Sequence, residues 1–443
     1  MIYSKQDGKK VWNAFKEMEL YLDKSFQVLT EVDEDNCYTN QKERKLYDGV
    51  STLLNTNIGH RNPKVIEAID RQLNQLDNTT LFTVTSDIAI ACAKKICGLT
   101  DHRYFSCFFT NSGSEACDTA LKIVKKYNFN KGKKECGIVS LKGAYHGSSL
   151  GAMLLAQTAY ENDKYYNNST GFYQIHTPET GCRPEGLCSE KWMQACIEEY
   201  RKLVEEKQIG ALFMELIQLS NGVNVLPKEY VQELVRISRQ HEILVVIDEV
   251  ATGFGRTGRL FASEHYGIWG DLMMVAKGIT SGYIPMGAVL VTEDDYSNFI
   301  GGADKMLDHG FTTGGHPVAC AAAIANIDQI LDKEMVGNAE KMGIYLKERL
   351  IQEIGSSFLV KEIRGMGLML SILFENYKVI GMPEWGIADV VTRFLINNGL
   401  LLYPDDPEIL IVAPVLSISR EKCDFMVEEI KKCIEKTEKC VNK

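Results

Sequence analysis

The 443-residue sequence lacks the features of several large classes of protein. Its 49 lysines and arginines are outnumbered by 59 aspartates and glutamates, which gives a formal charge of −10. A nucleic-acid-binding protein is expected to have a basic surplus, so this balance argues against a nucleic-acid partner. No apolar run reaches the roughly 18 residues that cross a bilayer, and the first residues do not resemble a secretory signal. We therefore expect a cytoplasmic protein with no membrane partner.

Metal-binding and redox motifs are also missing. The 13 cysteines are dispersed along the chain and form no Cys-x-x-Cys pair, which argues against a zinc ribbon or a thioredoxin-like redox pair. The eight histidines include no His-Glu-x-x-His motif. We predict no metal site, and we interpret the cysteines as buried free thiols in a reducing compartment.

Short apolar segments alternate with helical patterns through the middle of the chain. Segments that are apolar at nearly every position are typical of strands buried on both faces, as in a parallel sheet. The alternation predicts an α/β protein with one large, doubly wound, mostly parallel sheet. The predicted strands are 104–110, 137–141, 211–216, 243–250 and 272–278, and the predicted helices between them are 115–127, 189–206 and 228–241.

The two ends of the chain differ from this central part. Residues 1–65 combine a helix with polar hairpin-like pieces, and residues 326–443 contain helices and a strand-like segment at 363–374. We predict that these two flanks pack together as a smaller α+β domain beside the large domain, residues 66–325.

Two charged residues end predicted strands. Lys277 follows five apolar residues, where desolvation would lower the pKa of its ammonium group and favour a neutral nucleophile. On this segment alone, a lysine that simply emerges into solvent is the more frequent case. Asp248 ends another apolar strand and needs a cationic partner if it is buried. A protonated pyridine nitrogen would serve, and a helix cap or an ion pair is equally consistent with this segment.

The segment GFGRTG, residues 253–258, matches the Gly-x-Gly-x-x-Gly pattern of dinucleotide-binding proteins. That pattern should open a long helix and be followed by a strand that ends in an acidic residue. Here the next strand ends in Lys277, and the intervening residues form no clean amphipathic pattern. We therefore reject a dinucleotide site.

A predicted strand also runs directly into Ser112, Gly113 and Ser114 and then into a helix. Small residues at a helix N-terminus present backbone N–H groups and the positive end of the helix dipole to an anion. Ser112 and Glu115 also have the spacing of a capping box, and both interpretations can hold together. No Gly-Lys-Ser/Thr follows, so we predict a site for a single phosphate rather than a triphosphate.

Tyr145 and His146 lie just beyond another predicted strand, between two glycines. An aromatic ring in such a position could stack on a flat cofactor, although a packed surface tyrosine is the more common case. A lysine, an aspartate, a phosphate-binding helix start and a stacking ring are together what pyridoxal 5′-phosphate requires. We therefore predict this cofactor.

Seven strings of the sequence occur in the order typical of one enzyme family: NIGHRNPKVIEAI, FTNSGSEACDTALK, GAYHGSSLGAM, VVIDEVATGFGRTGRLFASEHYG, MMVAKGITSGYIPMGAV, HGFTTGGHPVACAAA and IRGMGL. Over essentially its whole length, the chain resembles the class III (ornithine/ω-amino acid) aminotransferases of the fold type I group. Its motifs are most similar to the ω-amino acid:pyruvate branch. The resemblance implies a homodimer with shared active sites.

The resemblance also implies roles for individual residues. Lys277 would carry the cofactor and move the proton, while Asp248 would keep the pyridine nitrogen protonated. Thr312 would bind the phosphate of the neighbouring subunit. The remaining residues implied to surround the cofactor are Ser112, Gly113, Ser114, Tyr145, His146 and Glu215.

Departures from the family pattern bear on the substrate. Ala251 and Ile411 stand where ornithine-type members carry glutamine and arginine, which moves the chain away from those substrates. Arg420 matches an arginine that binds carboxylates in the ω-amino acid branch, although a solvated helix-start residue is nearly as consistent. Leu54 stands where that branch often has a pocket tryptophan, so the substrate pocket is expected to be reshaped.

We predict a ping-pong aminotransferase that takes an amino group from an amine or ω-amino acid and gives it to a 2-oxo acid such as pyruvate. An amino-acid racemase, epimerase or aminomutase of the same fold is the alternative, because it would use the same lysine and aspartate. A non-catalytic regulatory protein of this fold is a third, weaker alternative.

Overall fold

The computed structural model describes residues 2–15, 18–24, 27–133, 135–156, 170–179, 183–184, 186–380 and 385–441. Among these residues, no helix is both long enough and apolar enough to span a bilayer. The helices are α1 Lys5–Gly8, α2 Met18–Lys24, α3 Ser51–Leu54, α4 Pro63–Gln75, α5 Asp87–Gly98, α6 Gly113–Asn130, α7 Leu150–Leu155, α8 Ser189–Glu206, α9 Lys228–Gln240, α10 Ser263–Tyr266, α11 Glu293–Ser297, α12 Pro317–Asp332, α13 Met335–Ile354, α14 Ile387–Asn397 and α15 Arg420–Glu438.

The strands form one large sheet and several smaller ones. In chain order they are β1 Leu29–Val32, β2 Cys37–Asn40, β3 Lys45–Asp48, β4 Ser106–Thr110, β5 Gly137–Leu141, β6 Phe172–Ile175, β7 Ile209–Glu215, β8 Ile217–Gln218, β9 Asn224–Val225, β10 Leu244–Asp248, β11 Leu272–Val275, β12 Gly287–Val291, β13 Val360–Met366, β14 Met369–Phe374, β15 Leu400–Leu401, β16 Tyr403–Asp406 and β17 Ile409–Val412.

The large sheet has the order β4-β12-β11-β10-β7-β5-β6. Its strands are parallel except β12, which runs antiparallel to both β11 and β4. The predicted doubly wound, mostly parallel sheet is therefore confirmed. The sequence reasoning did not identify β6, whose FYQI sequence is partly polar at the sheet edge, or β12, which follows a glycine- and proline-containing loop.

Both faces of this sheet are covered. In β10, Val245 and Ile247 pack in one apolar cluster with Tyr200 of α8 and Leu234 of α9, whereas Val246 packs on the other face with residues of α6. Successive strand residues therefore enter different parts of the core, because side chains alternate across a strand. This explains why the central strands are apolar at nearly every position.

The two flanks of the chain contact each other. Strand β15 pairs in parallel with β3, so that Leu401 lies opposite Asp48. Near the C-terminus, β13, β14, β17 and β16 form an antiparallel sheet. The predicted single strand at 363–374 is wrong, because the chain turns at Gly367 between β13 and β14 with a φ of 57°. The predicted domain limits at 65 and 325 fall inside α4 and α12, and the division into domains stays a prediction.

Candidate active site

The ends of three neighbouring strands carry the ionisable residues of one cavity. Strand β7 ends at Glu215 and β10 ends at Asp248, and the strand register places these two residues opposite each other. Strand β11 runs beside β10, and Lys277 follows two residues after its end. Ligands bind beyond the carboxyl ends of strands in open α/β sheets, which is where these three side chains lie.

The cavity at this edge has a volume of 420 Å³. Such a volume is within the range of small-molecule and cofactor sites. The structure brings together most of the residues that the sequence identified as cofactor-binding, because the cavity is lined by Ser112, Gly113, Ser114, Tyr145, His146, Glu215, Asp248 and Lys277.

Asp248 is held by a histidine at the base of the cavity. Nδ1 of His146 lies 2.7 Å from Oδ2 of Asp248, and both side chains are buried. The backbone N–H of Val250 donates to Oδ1 at 2.9 Å. Burial disfavours the charged imidazole, but the hydrogen bond to Asp248 and its negative charge together raise the pKa of His146.

Glu215 links the end of β7 to the loop that carries Tyr145. Its Oε2 accepts a hydrogen bond from the backbone N–H of Tyr145 at 2.8 Å. Burial, together with the nearby charge of Asp248, raises the pKa of Glu215 to about 7. The carboxyl group therefore takes up a proton far more readily than an exposed glutamate does.

Lys277 has the electrostatic environment of a nucleophile. Burial lowers the pKa of its ammonium group, while the charges of Asp248 and Glu215 act in the opposite direction. Its φ of 45° is unusual for a residue other than glycine, and such strain is found most often at functional sites. Lys277 thus lines the cavity instead of simply emerging into solvent, the more frequent case for its segment, and its catalytic role stays a prediction.

The N-terminus of α6 opens onto the same cavity. Oγ of Ser112 accepts from the backbone N–H of Glu115 at 3.2 Å, which forms the helix cap. The carboxylate of Glu115 accepts from the backbone N–H of Asn111 at 2.7 Å instead of from Ser112, so only half of the expected capping box is present. The first amides of a helix have no intrahelical acceptor, which leaves those of Gly113 and Ser114 available to an anion.

Glycine is needed where this helix meets its neighbours. A Cβ at Gly113 would lie 2.9 Å from Val250, and one at Gly147 would lie 2.5 Å from Oγ of Ser114. Neither position therefore has room for a larger side chain. The three groups fit three parts of pyridoxal 5′-phosphate. The first amides of α6 fit its phosphate, the buried carboxylate of Asp248 fits its ring nitrogen, and the amine of Lys277 fits its aldehyde carbon.

Three predicted residues lie outside this cavity. Thr312 is exposed in the loop before α12. Arg420 begins α15, and its guanidinium lies 4.6 Å from the ring centre of Tyr345. This position matches the alternative interpretation of Arg420 as a residue at the start of a helix. Leu54 is buried in the core, and its neighbour Leu53 lines the cavity instead. The expectation that Leu54 itself shapes the pocket is therefore corrected.

Two segments that complete the cavity walls were not identified from the sequence. Thr52 and Leu53 belong to α3 and Asn55 follows it, and the loop 280–286 lies shortly after Lys277. Proximity to the lysine was an available signal for this loop. For the first segment the resemblance pointed to Leu54, because which of the neighbouring side chains faces the cavity depends on backbone angles that the residue types do not reveal.

Other residues matched to the family have structural contacts. Nε2 of Gln218 donates to the carbonyl of Lys142 at 2.9 Å. Nε of Arg364 donates to the carbonyl of Gly222 at 2.7 Å. Both contacts hold the segment around β8, which follows β7, so these two side chains have structural roles.

The loop after Asp248 is anchored by the buried Arg256. Its Nη2 donates to Oδ1 of Asn57 at 2.7 Å, and burial lowers its pKa to about 9. Arg259 pairs with Glu340 at 2.9 Å on the surface. These contacts show that the two arginines organise this loop.

Comparisons with known proteins agree with this geometry. The family described as Aminotransferase class-III matches residues 22–434. The chain is 30% identical to an omega-aminotransferase of Caulobacter vibrioides, covering 90% of this chain and 91% of the relative. It is 32% identical to an adenosylmethionine-8-amino-7-oxononanoate aminotransferase of Anoxybacillus flavithermus, with coverages of 97% and 96%. It is 31% identical to a putrescine–pyruvate aminotransferase of Pseudomonas aeruginosa, with coverages of 89% and 87%.

A solved structure supports the same assignment. An amine transaminase from an uncultivated Pseudomonas species, in its pyridoxal-phosphate-bound form, is 30% identical with a TM-score of 0.89. The similarity covers 97% of this chain and 99% of that one. The chain therefore belongs to the class III aminotransferases, which use pyridoxal 5′-phosphate.

Proposed function

We propose that this enzyme transfers an amino group from a primary amine or ω-amino acid to a 2-oxo acid such as pyruvate, by a ping-pong mechanism. The observation that carries the proposal is the meeting of Lys277, Asp248 and the first amides of α6 around one cavity. The putrescine–pyruvate relative supports an amine donor and a pyruvate acceptor. The relatives compared are aminotransferases, and they do not favour the racemase or aminomutase alternative.

The cofactor, when bound, supplies an electron sink for negative charge that develops on the substrate carbon. Lys277 would hold the cofactor through Nζ, and whenever Nζ is a free amine its lowered pKa would suit it to removing and returning the proton of the substrate carbon. The carboxylate of Asp248 would favour a protonated ring nitrogen, and His146 keeps that carboxylate in place through Oδ2.

Tyr145 and Glu215 complete the cofactor pocket in this proposal. The tyrosine ring would cover one face of the cofactor ring, and the carboxyl group of Glu215 fixes the loop by accepting from the backbone N–H of Tyr145. The amides of Gly113 and Ser114 would hold the phosphate, with Ser112 as the helix cap.

Arg420 is proposed to bind the carboxylate of acidic substrates. That role requires its guanidinium to leave the ring of Tyr345 and reach the cavity. Simple amines have no carboxylate and would not need this movement. The proposal therefore predicts that acidic donors depend on Arg420 and that simple amines do not.

We also propose a homodimer in which Thr312 binds the phosphate of the neighbouring subunit. Thr312 lies outside the cavity of its own chain, in an exposed loop. Beside this loop, Phe82 is 64% exposed and its ring lies against Gly310. Leu81 and Val84 of the same segment are also exposed, and a patch of exposed apolar side chains is typical of a protein interface.

The 12 described cysteines form no disulfide with one another, as is usual in a reducing compartment, and we propose a cytoplasmic location.

The proposed function is tested by a donor screen. The purified enzyme, loaded with pyridoxal 5′-phosphate, is mixed with primary amines, diamines or ω-amino acids and with pyruvate or 2-oxoglutarate. Alanine that forms in proportion to the loss of an amine supports the proposal. Racemised donor without any new amino acid, or no reaction with any pair, would count against it.

A further inference from the structure

Four consecutive residues beside the cavity adopt a left-handed backbone conformation, although none is glycine. The φ angles are 48° for Ser51, 49° for Thr52, 69° for Leu53 and 58° for Leu54. Side chains with a Cβ disfavour this region, and a run of four is rare. Such strain persists only where surrounding contacts hold the backbone in place.

In this left-handed turn, two side chains lie in the core and two line the cavity. Ser51 and Leu54 are buried, and Oγ of Ser51 donates to the carbonyl of Ala413 at 2.7 Å. Thr52 and Leu53 line the cavity that holds Lys277, and Leu53 is 40% exposed. A right-handed or extended backbone would orient these four side chains differently. The hand of the turn thus decides which residues a substrate meets.

A buried carboxylate at the end of β3 holds the turn. Oδ1 of Asp48 accepts from the backbone N–H of Val50 at 3.1 Å. Its Oδ2 accepts from the backbone N–H of Thr52 at 2.9 Å and from Oγ1 of Thr52 at 3.1 Å. Charge-assisted hydrogen bonds of this kind are stronger than neutral ones. Two of these three donors therefore belong to Thr52 within the turn, and the third belongs to Val50, which directly precedes the turn.

Two further side chains complete the network. The hydroxyl of Tyr38 lies 3.2 Å from Oδ2 of Asp48 and 2.7 Å from Oγ1 of Thr52. Nε2 of His60 lies 3.3 Å from the same carboxylate oxygen. None of Tyr38, Asp48 and His60 lines the cavity, so the network holds the turn without contributing side chains to the cavity wall.

We propose that Asp48 is a positioning residue for substrate selection. Its carboxylate keeps the turn of residues 51–54 left-handed, so that Thr52 and Leu53 form a fixed wall that discriminates amines by size. The inference rests on the proposed transfer from amines. An asparagine in place of Asp48 would have one acceptor oxygen and would direct an NH₂ group toward N–H donors, which weakens the hold on the turn.

A double-mutant cycle tests this proposal in the cofactor-loaded enzyme. Asp48→Asn, Thr52→Gly and the double variant are compared with the wild type, with propylamine as the small donor, 1-phenylethylamine as the bulky donor and pyruvate as the acceptor. We expect Asp48→Asn to change the ratio of kcat/KM for the two amines at least threefold, mainly through KM. In the Thr52→Gly background, which already lacks one wall side chain, Asp48→Asn should change the ratio by a smaller factor, because glycine adopts a φ near 49° without the carboxylate.

Controls separate this role from general destabilisation. Asp35→Asn neutralises an exposed carboxylate in the preceding hairpin and should leave the ratio unchanged. Tyr38→Phe keeps Asp48 but removes the adjacent hydroxyl, and it should shift the ratio in the same direction by a smaller factor. If Asp48→Asn is insoluble, Tyr38→Phe and Thr52→Gly decide the question, and an unchanged ratio in both overturns the proposal. Proportional loss for both amines in Asp48→Asn, or an equal effect of Asp48→Asn on the ratio with and without Thr52→Gly, also overturns it.

A crystallographic comparison distinguishes failure of this inference from failure of the proposed function. We expect the turn to remain left-handed in the wild-type holoenzyme and to change its φ angles in the Asp48→Asn holoenzyme. An unchanged turn overturns the positioning role even if the enzyme is active. If the enzyme uses no amine as a donor, the proposed function and the selection of amines are both overturned. The crystal structures still decide in that case whether Asp48 holds the turn.

Discussion

Nδ1 of His146 lies 2.7 Å from Oδ2 of Asp248, and both side chains are buried at the base of the cavity. The other ring nitrogen of His146 has no hydrogen-bond partner among the described residues. The histidine is thus directed at the aspartate. The carboxylate of Asp248 carries a negative charge in the interior, where it can stabilise the cationic ring nitrogen of the cofactor.

This pair predicts that Asp248→Asn lowers kcat at least about 100-fold, because loss of a close charge–charge interaction costs a few kcal/mol in the transition state. His146→Gln should lower kcat by a smaller factor, since the aspartate keeps its charge. Steady-state kinetics with the best amine and pyruvate measure both effects. Equal losses in the two variants would argue against a dominant role for the carboxylate.

Lys277→Ala should abolish amino transfer, because no other amine among the described residues lines the cavity. The wild-type enzyme should show the absorbance band of the covalently held cofactor at ~420 nm, and the variant should lose it. Lys142→Ala, a lysine outside the cavity lining, is the matched control and should keep the band. A variant at position 277 that retains both the band and activity would exclude this lysine as the attachment point.

Glu215 predicts a specific dependence of stability on pH. Its pKa is about 7 in the fold against an ordinary value of 4.5, so the folded state binds more protons than the unfolded state between these values. Stability from this group is therefore present at low pH and is lost as the pH rises from about 4.5 to 7, by about 3 kcal/mol at most.

Glu215→Gln removes this titration while it keeps a neutral side chain of similar shape. The unfolding temperature of the variant relative to the wild type should therefore rise between pH 5 and pH 8. Thermal unfolding of both proteins at a series of pH values measures this difference. A difference that stays constant with pH would show that Glu215 does not titrate in this range.

Arg420→Ala should raise KM for ω-amino acids about tenfold and leave KM for simple amines unchanged, if the arginine moves to bind a carboxylate. Tyr345→Leu removes the ring on which the guanidinium rests and should not weaken acidic donors. The same loss for acidic and neutral donors in Arg420→Ala would assign the residue to the stability of α15 instead.

Phe82→Asp should disrupt the proposed dimer, because a charge would be placed in an apolar surface beside the loop of Thr312. Sedimentation velocity should show a monomer, together with weaker cofactor binding. Ile351→Asp, at another exposed apolar residue far along the chain, is the control and should leave the mass unchanged. A variant at position 82 that remains dimeric would place the interface elsewhere.

Parts of the fold and site could be predicted because their signals are local. The helix expected at 189–206 has these bounds in the structure. Strand β10 ends at Asp248, and β11 ends two residues before Lys277, close to where the apolar runs stop. The hairpin of β13 and β14 was missed, because its turn depends on Gly367 fitting against Thr257 from a distant segment.

The sequence by itself determined the parallel sheet and the chemistry of its edge, because apolar runs and the charged residues that end them are properties of short segments. Only the tertiary structure decided that Leu53 rather than Leu54 meets the cavity and that Arg420 lies against Tyr345. Those outcomes depend on contacts between residues distant in sequence, such as the hold of Asp48 on the turn and the docking of α15, and no local pattern encodes them.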